Sequence, residues 1–95
     1  MRIENVQWLP QFEEKISVKH HLTRSEVEEV LFERPLVRFV EHGNQADENL
    51  YAAYGQTFAG RYITVFFVLT TDHSALVISA RDMDAKERRR YGKRK

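Results

Sequence analysis

The stretch Ile78–Gly92 combines a strand end, a helix start and four arginines within fifteen residues. Arg81 would stand at the end of the strand, while Arg88 and Tyr91, three residues apart, would share one face of the helix. A guanidinium binds phosphate through two parallel hydrogen bonds. These side chains could therefore meet around a phosphate group.

Arginine, lysine, histidine and tyrosine without a matched pair of carboxylates suit the cleavage of RNA. In that reaction the ribose 2′-OH attacks its own 3′ phosphate, so the substrate supplies the nucleophile. The protein then needs only a proton acceptor, a proton donor and cations that stabilise the phosphorane. The alternative for each residue is structural, since an arginine can also form an ion pair and a tyrosine ring can pack a helix.

Metal and nucleotide chemistry find little support in the sequence. There is no cysteine, and His20 and His21 are adjacent, so on a helix they project about 100° apart and cannot share a face. Gly55–Gly60 has the glycine spacing of a P-loop, but Arg61 and Tyr62 follow it in place of Lys-Ser/Thr, which indicates a hairpin. We expect neither a metal site nor another cofactor.

The formal net charge of +1 conceals an asymmetry along the chain. Residues 1–80 contain seven Lys/Arg and eleven Asp/Glu, whereas residues 81–95 contain eight Lys/Arg and three Asp/Glu. The two parts therefore carry −4 and +5. A basic end on an acidic body can bind nucleic acid locally, and the alternative is a tail that only increases solubility.

Length and composition predict one domain over residues 1–95, with a basic tail at about residues 92–95. The longest apolar run, Tyr62–Leu69, is too short to cross a bilayer, and the start of the chain lacks the apolar segment of a signal peptide. The absence of cysteine suits a reducing compartment. We expect a cytoplasmic protein without a membrane partner.

Helix signals occur in three places. Pro10 suits the first turn of one helix. Thr23 with Glu26 forms a capping box for a second helix, which Pro35 ends by disfavouring helical geometry at the preceding residue. Asp84, with a glutamate three residues on, caps a third helix, which we expect to end before Gly92.

Strand signals precede the first helix and fill the chain after the second. A short strand is predicted by the alternation at residues 3–8, and the later strands by a period of two. The predicted later strands are Leu36–Val40, Leu50–Tyr54, Arg61–Thr70 and Ala75–Arg81. Short connections imply an antiparallel meander, so the whole chain is predicted to have an α+β fold. Residues 63–69 are apolar on both faces, which predicts a central strand covered on its second face by the last helix or in part by a partner.

Three stretches of the sequence resemble motifs of a known toxin family. The end VISARDMDAKERRRY is similar to the closing signature of the BrnT toxins, an Ile-Ser-Ala-Arg strand followed by a Glu-Arg-x-x-Tyr helix. The start is also similar, with Trp8 in a first strand. The run VKHHLTRSEVEEVLFERP then resembles the family's Lys-His-Gly element, its second helix and the Asp/Glu-x-Pro-like stop. Gly55, Gly60 and Arg61 stand where the family has its hairpin, so the resemblance covers nearly the whole chain.

The BrnT toxins are ribonucleases of type II toxin-antitoxin systems with a RelE-like fold. The resemblance implies metal-independent RNA cleavage, inhibition of translation and neutralisation by a ribbon-helix-helix antitoxin. Operator DNA would be bound only through the complex with that antitoxin. The enzyme expected is an endoribonuclease that leaves 2′,3′-cyclic phosphate ends.

The resemblance also assigns residues to roles. Arg81 and Arg61 would stabilise the phosphorane, and Tyr91 or His20 would transfer the proton. The residues expected to hold the RNA backbone are Lys19, Arg88 and Arg89.

Three positions depart from the family pattern. Leu9 stands where the family often has aspartate, and His21 replaces the usual glycine. Leu50 stands where a Glu-Arg-aromatic strand would place an arginine near the active site, and leucine cannot bind phosphate. Activity would then be weak, moved to Arg38 or Arg61, or lost.

The alternatives to the enzyme are a non-catalytic module that binds nucleic acid or an antitoxin, and a structural interaction protein.

Overall fold

Five strands and three helices make up the described part of the chain. A computed structural model describes residues 1–45 and 48–93. Two residues of the predicted loop at 41–49, Ala46 and Asp47, and two of the predicted tail, Arg94 and Lys95, lie outside the described residues. The elements are β1 (Asn5–Gln7), α1 (Pro10–His20), α2 (Arg24–Phe32), β2 (Leu36–Glu41), β3 (Leu50–Gln56), β4 (Tyr62–Leu69), β5 (Ser74–Asp82) and α3 (Ala85–Gly92).

The helix ends follow the local sequence signals. Thr23 and Asp84 each begin a helix with a complete capping box. The start of α1 has no side-chain cap because Leu9 occupies that position. Helix α2 ends at Phe32, and Arg34, before Pro35, has a φ of 52°, which is outside the helical region as predicted. Helix α3 includes Gly92, which was predicted to follow its end.

The strands form one sheet in the order β1-β5-β4-β3-β2. Strands β2 to β5 form the predicted antiparallel meander. The short first strand joins as a fifth member, because β1 pairs in parallel with β5. The α+β prediction is confirmed, and the difference lies in this added edge strand.

Helices α1 and α2 cover one face of the sheet, which we call the first face. The core there joins Ile16 of α1 and Val30 of α2 to Ile63, Val65 and Phe67 of β4. Each of these side chains is buried. A Cβ added to the glycine at position 55 would lie 2.9 Å from Cγ1 of Val30, so that glycine lets α2 approach the sheet closely.

Helix α3 lies on the opposite face, which we call the second face, and covers only one end of it. Its Tyr91 packs in a smaller cluster with Tyr54 and Met83. Farther along this face, Leu50, Val68 and other side chains are half-buried. Helix α3 therefore covers part of the second face, as one of the two sequence-based alternatives predicted. It leaves the rest open, which is the part that the other alternative assigned to a partner.

No helix in residues 1–45 and 48–93 is long and apolar enough to span a membrane.

Candidate functional site

An ion pair between Arg81 and Glu87 ties α3 to the sheet. Arg81 donates from Nη1 to Oε1 of Glu87 at 2.7 Å and from Nη2 to Oε2 at 2.9 Å. Glu87 also accepts from the hydroxyl of Thr64 at 3.1 Å and from the backbone N–H of Asp84 at 2.9 Å. The guanidinium carbon of Arg81 lies 5.3 Å from the ring centroid of Phe66. The register pairs Arg81 with Thr64, so the sheet itself places this ion pair on the second face.

The ion pair stabilises the charged forms of both partners. Hydrogen bonding to Glu87 raises the pKa of Arg81 above its ordinary value. Burial raises the pKa of Glu87, but hydrogen bonds from Arg81, the Asp84 backbone and Thr64 outweigh burial and hold this pKa below its ordinary value of 4.5. Glu87 and the Asp82 carbonyl accept three of the five N–H donors of Arg81. The other two donors have no hydrogen-bond partner among the described residues.

A cleft of about 260 Å³ opens between α3 and the strands β2 and β3. We call it the cationic cleft, and its lining residues are Arg38, Tyr54, Asp84, Lys86, Glu87 and Arg90. The Nε of Arg38 donates to the hydroxyl of Tyr54 at 3.1 Å. A second cleft of about 320 Å³ adjoins it and shares Arg38 and Arg90. The two clefts therefore share basic residues along α3, and the second cleft also has Leu36 and Val37 in its lining.

One flank of α3 supplies most of this positive charge. Lys86, Arg90 and Lys93 are spaced four and three residues apart, so they lie above one another on the helix surface. The sequence interpretation did not single out this flank, although the i, i+4, i+7 spacing is its signal. It also missed Tyr54, because no sequence pattern shows that its hydroxyl meets Arg38 from another strand.

Arg88 and Tyr91 lie on the second face against Tyr62. The guanidinium carbon of Arg88 is 4.0 Å from the Tyr62 ring centroid. Tyr91 meets the same ring edge-on at 6.1 Å. Arg89, between them, is exposed. Three of the predicted site residues, Arg81, Arg88 and Tyr91, thus lie on the same face.

Arg61 lies on the other side of the sheet. Its Nε and Nη2 donate to the two oxygens of Asp82 at 2.7 and 3.2 Å. Its terminal nitrogens also donate to the carbonyls of His21 and His20, both at 2.9 Å, and Glu26 is 3.5 Å away. Arg61 therefore closes the C-terminal end of α1, and the sheet separates it from Arg81.

Lys19 and His20 form the last turn of α1, which packs on the first face. The hydrogen bond from Arg61 lowers the pKa of Asp82 below its ordinary value. His21 follows with a φ of 55° in the left-handed region, where glycine is favoured. This geometry explains why a glycine suits that position in the sequence pattern. The structure does not bring Lys19, His20 or Arg61 together with Arg81.

Leu50 lies on the second face at the open end of the sheet. It pairs with Val68 on β4 and with Glu41 on β2. Its side chain is half-buried and gives an apolar surface where the motif has an arginine. The neighbouring strand β2 does place an arginine on this face, since Arg38 pairs with Ala52, two residues along β3 from Leu50.

Comparisons with known proteins give the family and the fold. Residues 8–87 match the family described as ribonuclease toxin, BrnT, of type II toxin-antitoxin system. The fold is similar to the 1.1 Å crystal structure of the Brucella abortus ribonuclease toxin BrnT, with a TM-score of 0.61 and 22% identity over 84% of this chain and 96% of that chain. A search of curated protein sequences finds no match.

Proposed function

The chain belongs to the BrnT family of ribonuclease toxins of type II toxin-antitoxin systems, and we propose that it cuts RNA on the second face of the sheet, beside α3. The observation behind this placement is the Arg81 guanidinium, which Glu87 orients in two hydrogen bonds while two donors stay available. A donor oriented before the reaction stabilises developing negative charge without reorganising, which is the requirement for phosphorane formation.

The proposed mechanism uses the ribose 2′-OH as nucleophile. The 2′-oxygen bonds to phosphorus and the bond to the 5′-oxygen breaks, while Arg81 stabilises the charge on the phosphorane. Tyr91, on the helix that Glu87 anchors, donates a proton to the departing 5′-oxygen, and solvent takes the proton of the 2′-OH. Arg88 and Arg89 on the same helix hold the RNA backbone. The predicted roles of Lys19, His20 and Arg61 would require RNA to reach the first face as well, so we place the chemistry on the second face and keep those roles as predictions to be tested.

The same proposal includes the biological setting. Cutting of RNA would inhibit translation, which places the protein in the cytoplasm. A type II toxin has an antitoxin partner, and we propose a ribbon-helix-helix protein that neutralises this chain and joins it to operator DNA. We also propose that residues 1–95 fold as a single domain that carries this activity.

Product chemistry tests the proposal directly. RNA incubated with the purified protein in excess EDTA should give a 5′-hydroxyl and a 2′,3′-cyclic phosphate or 3′-phosphate. A substrate with a 2′-deoxy sugar at the cut site should resist, because it lacks the nucleophile. Mass spectrometry of the fragments identifies the ends. Cleavage that stops with the chelator, or 5′-phosphate ends, would exclude this mechanism.

A second candidate function is binding of nucleic acid or antitoxin without cleavage. The observation in its favour is that Arg81 and Arg61 both form ion pairs with carboxylates, as purely structural arginines do. The product assay separates the two, since a binding module would retain RNA without shortening it.

A further inference from the structure

The basic side chains of the cationic cleft lie together in one cleft and have no acidic partner among the described residues. Ion pairs join Arg2 to Glu4, Arg24 to Glu13, Arg61 to Asp82 and to Glu26, and Arg81 to Glu87. Within the part of the chain that the structure describes, Arg38, Lys86 and Arg90 form no ion pair with a carboxylate, although they line one cleft. Their charges are therefore available to an external anion.

The two carboxylates in the same cleft are already engaged. The side chain of Asp84 accepts the backbone N–H of Glu87 at 2.8 Å, which completes the cap of α3. Both oxygens of Glu87 accept from Arg81. Because Glu87 is paired with Arg81, three unpaired cations face the single remaining carboxylate of Asp84, and the cleft keeps an excess of positive charge.

Tyr54 holds Arg38 in place at this cleft. The residue is only 1% exposed, and its hydroxyl accepts from Nε of Arg38. This contact uses Nε of the guanidinium, and its two terminal nitrogens have no hydrogen-bond partner among the described residues. Five donors in a planar fork match the geometry of phosphate, and a guanidinium that is already oriented loses less freedom on binding.

The position of the cleft relative to Arg81 indicates which phosphate of a bound RNA it would contact. Arg81, Thr64 and Tyr54 form one row across β5, β4 and β3. The cleft at Tyr54 therefore lies two strands away from Arg81 on the same face. We propose that Arg38, Lys86 and Arg90 form a subsite for an RNA phosphate next to the one that is cut, with Tyr54 as the positioning residue of Arg38; this inference rests on the proposed function.

Binding of RNA that cannot be cut tests the subsite. A short 2′-O-methyl RNA lacks the nucleophile, so its affinity reports binding alone. Arg38→Gln should weaken binding about tenfold, as expected for removal of a charged hydrogen bond, and should lower the slope of log K against log salt by about 0.7. Arg2→Gln removes the same charge at the opposite edge of the sheet and is the matched control. Both side chains are exposed, so both variants should stay folded; Arg38→Gln should unfold at a somewhat lower temperature because the buried Tyr54 hydroxyl loses its hydrogen bond.

Two further variants test the role of Tyr54. Arg38→Lys keeps the charge but not the fork, so its salt slope should equal that of the parent while affinity falls roughly threefold. Tyr54→Phe should weaken binding in the parent but have no further effect in the Arg38→Gln background. Full affinity in Arg38→Lys, or an additive effect of Tyr54→Phe, would overturn the positioning role.

The binding and cleavage assays can fail separately. If Arg38→Gln binds with the affinity and slope of Arg2→Gln while the parent cuts RNA, the subsite is wrong and the proposed function stands. If the parent binds as expected but leaves cleavable RNA intact, the proposed function is wrong and the anion site stands.

Discussion

The Arg81 guanidinium donates to both oxygens of Glu87 and packs over Phe66, so this one side chain supports α3 and also faces the proposed substrate. The two roles differ in the size of their effects. A hydrogen bond to a charged group contributes about 1.5–3 kcal/mol to stability, whereas loss of an oriented donor to a transition-state anion slows a reaction by about 10²–10³.

Substitution of Arg81 separates these roles. We expect Arg81→Ala to lower single-turnover cleavage by about 10²–10³ and to lower the unfolding free energy by about 1.5–3 kcal/mol. Arg81→Lys keeps a cation beside Glu87, so it should recover stability but little cleavage, because lysine lacks the fork. Arg2→Ala, at an exposed ion pair, is the control. Cleavage by Arg81→Lys at the parent rate would assign Arg81 a structural role only.

At the residue scale, sequence reasoning found candidates close together in the chain. The arginines around Arg81 were identified from their density and from the helical spacing of Arg88 and Tyr91. The contact between Arg38 and Tyr54 could not be predicted, because it depends on the register of two strands. The site assignments themselves stay predictions, and the position of Arg61 on the first face was not foreseen.

At the scale of elements, α3 depends on charge for its attachment to the sheet. It has no fully buried residue, and Glu87 provides hydrogen bonds to the sheet and to its own N-cap. Because the pKa of Glu87 is lowered in the folded protein, its charged form is favoured by folding. The contribution to stability is therefore present above the ordinary value of 4.5 and is lost as the pH falls through the folded value.

The pH dependence of Glu87→Gln tests this attachment. At neutral pH we expect the variant to unfold more easily by about 1–3 kcal/mol, because a neutral amide binds Arg81 less strongly. The difference should shrink below about pH 4.5 and vanish when Glu87 itself is protonated. Asp82 titrates in both proteins and cancels from the comparison. Urea unfolding at several pH values gives the free energies, with the exposed Glu14→Gln as control; a difference independent of pH would contradict the explanation.

Elements with complete local signals were predicted well. The capping boxes at Thr23 and Asp84 and the stop at Pro35 are interactions within a few residues, so the sequence contains all their parts. Sheet order depends on distant contacts. The three-residue strand β1 contains no feature that indicates parallel pairing with β5. Helices α1 and α2 carry the chain from β1 at one edge of the sheet to β2 at the opposite edge. The meander then runs back across the sheet and ends with β5 beside β1.

At the scale of the whole molecule, the sheet converts the charge asymmetry of the sequence into two different faces. On the first face, α2 has one arginine and three glutamates. On the second face, α3 has four lysine or arginine residues and one glutamate. A polyanion is therefore attracted to the second face, and this attraction weakens with salt.

Removal of residues 93–95 tests whether the basic end extends this attraction. Lys93 borders the cleft that adjoins Arg38 and Arg90, while Arg94 and Lys95 lie outside the described residues. The truncated protein should bind 2′-O-methyl RNA more weakly, with a salt slope shallower by about 0.7 for each RNA phosphate that the basic end no longer binds. Its cut positions should not change, because Arg81 and Tyr91 remain. The control is Arg2→Gln combined with Lys15→Gln, which removes positive charge elsewhere. A truncated protein with the parent slope would show that the tail contributes to solubility and not to RNA binding.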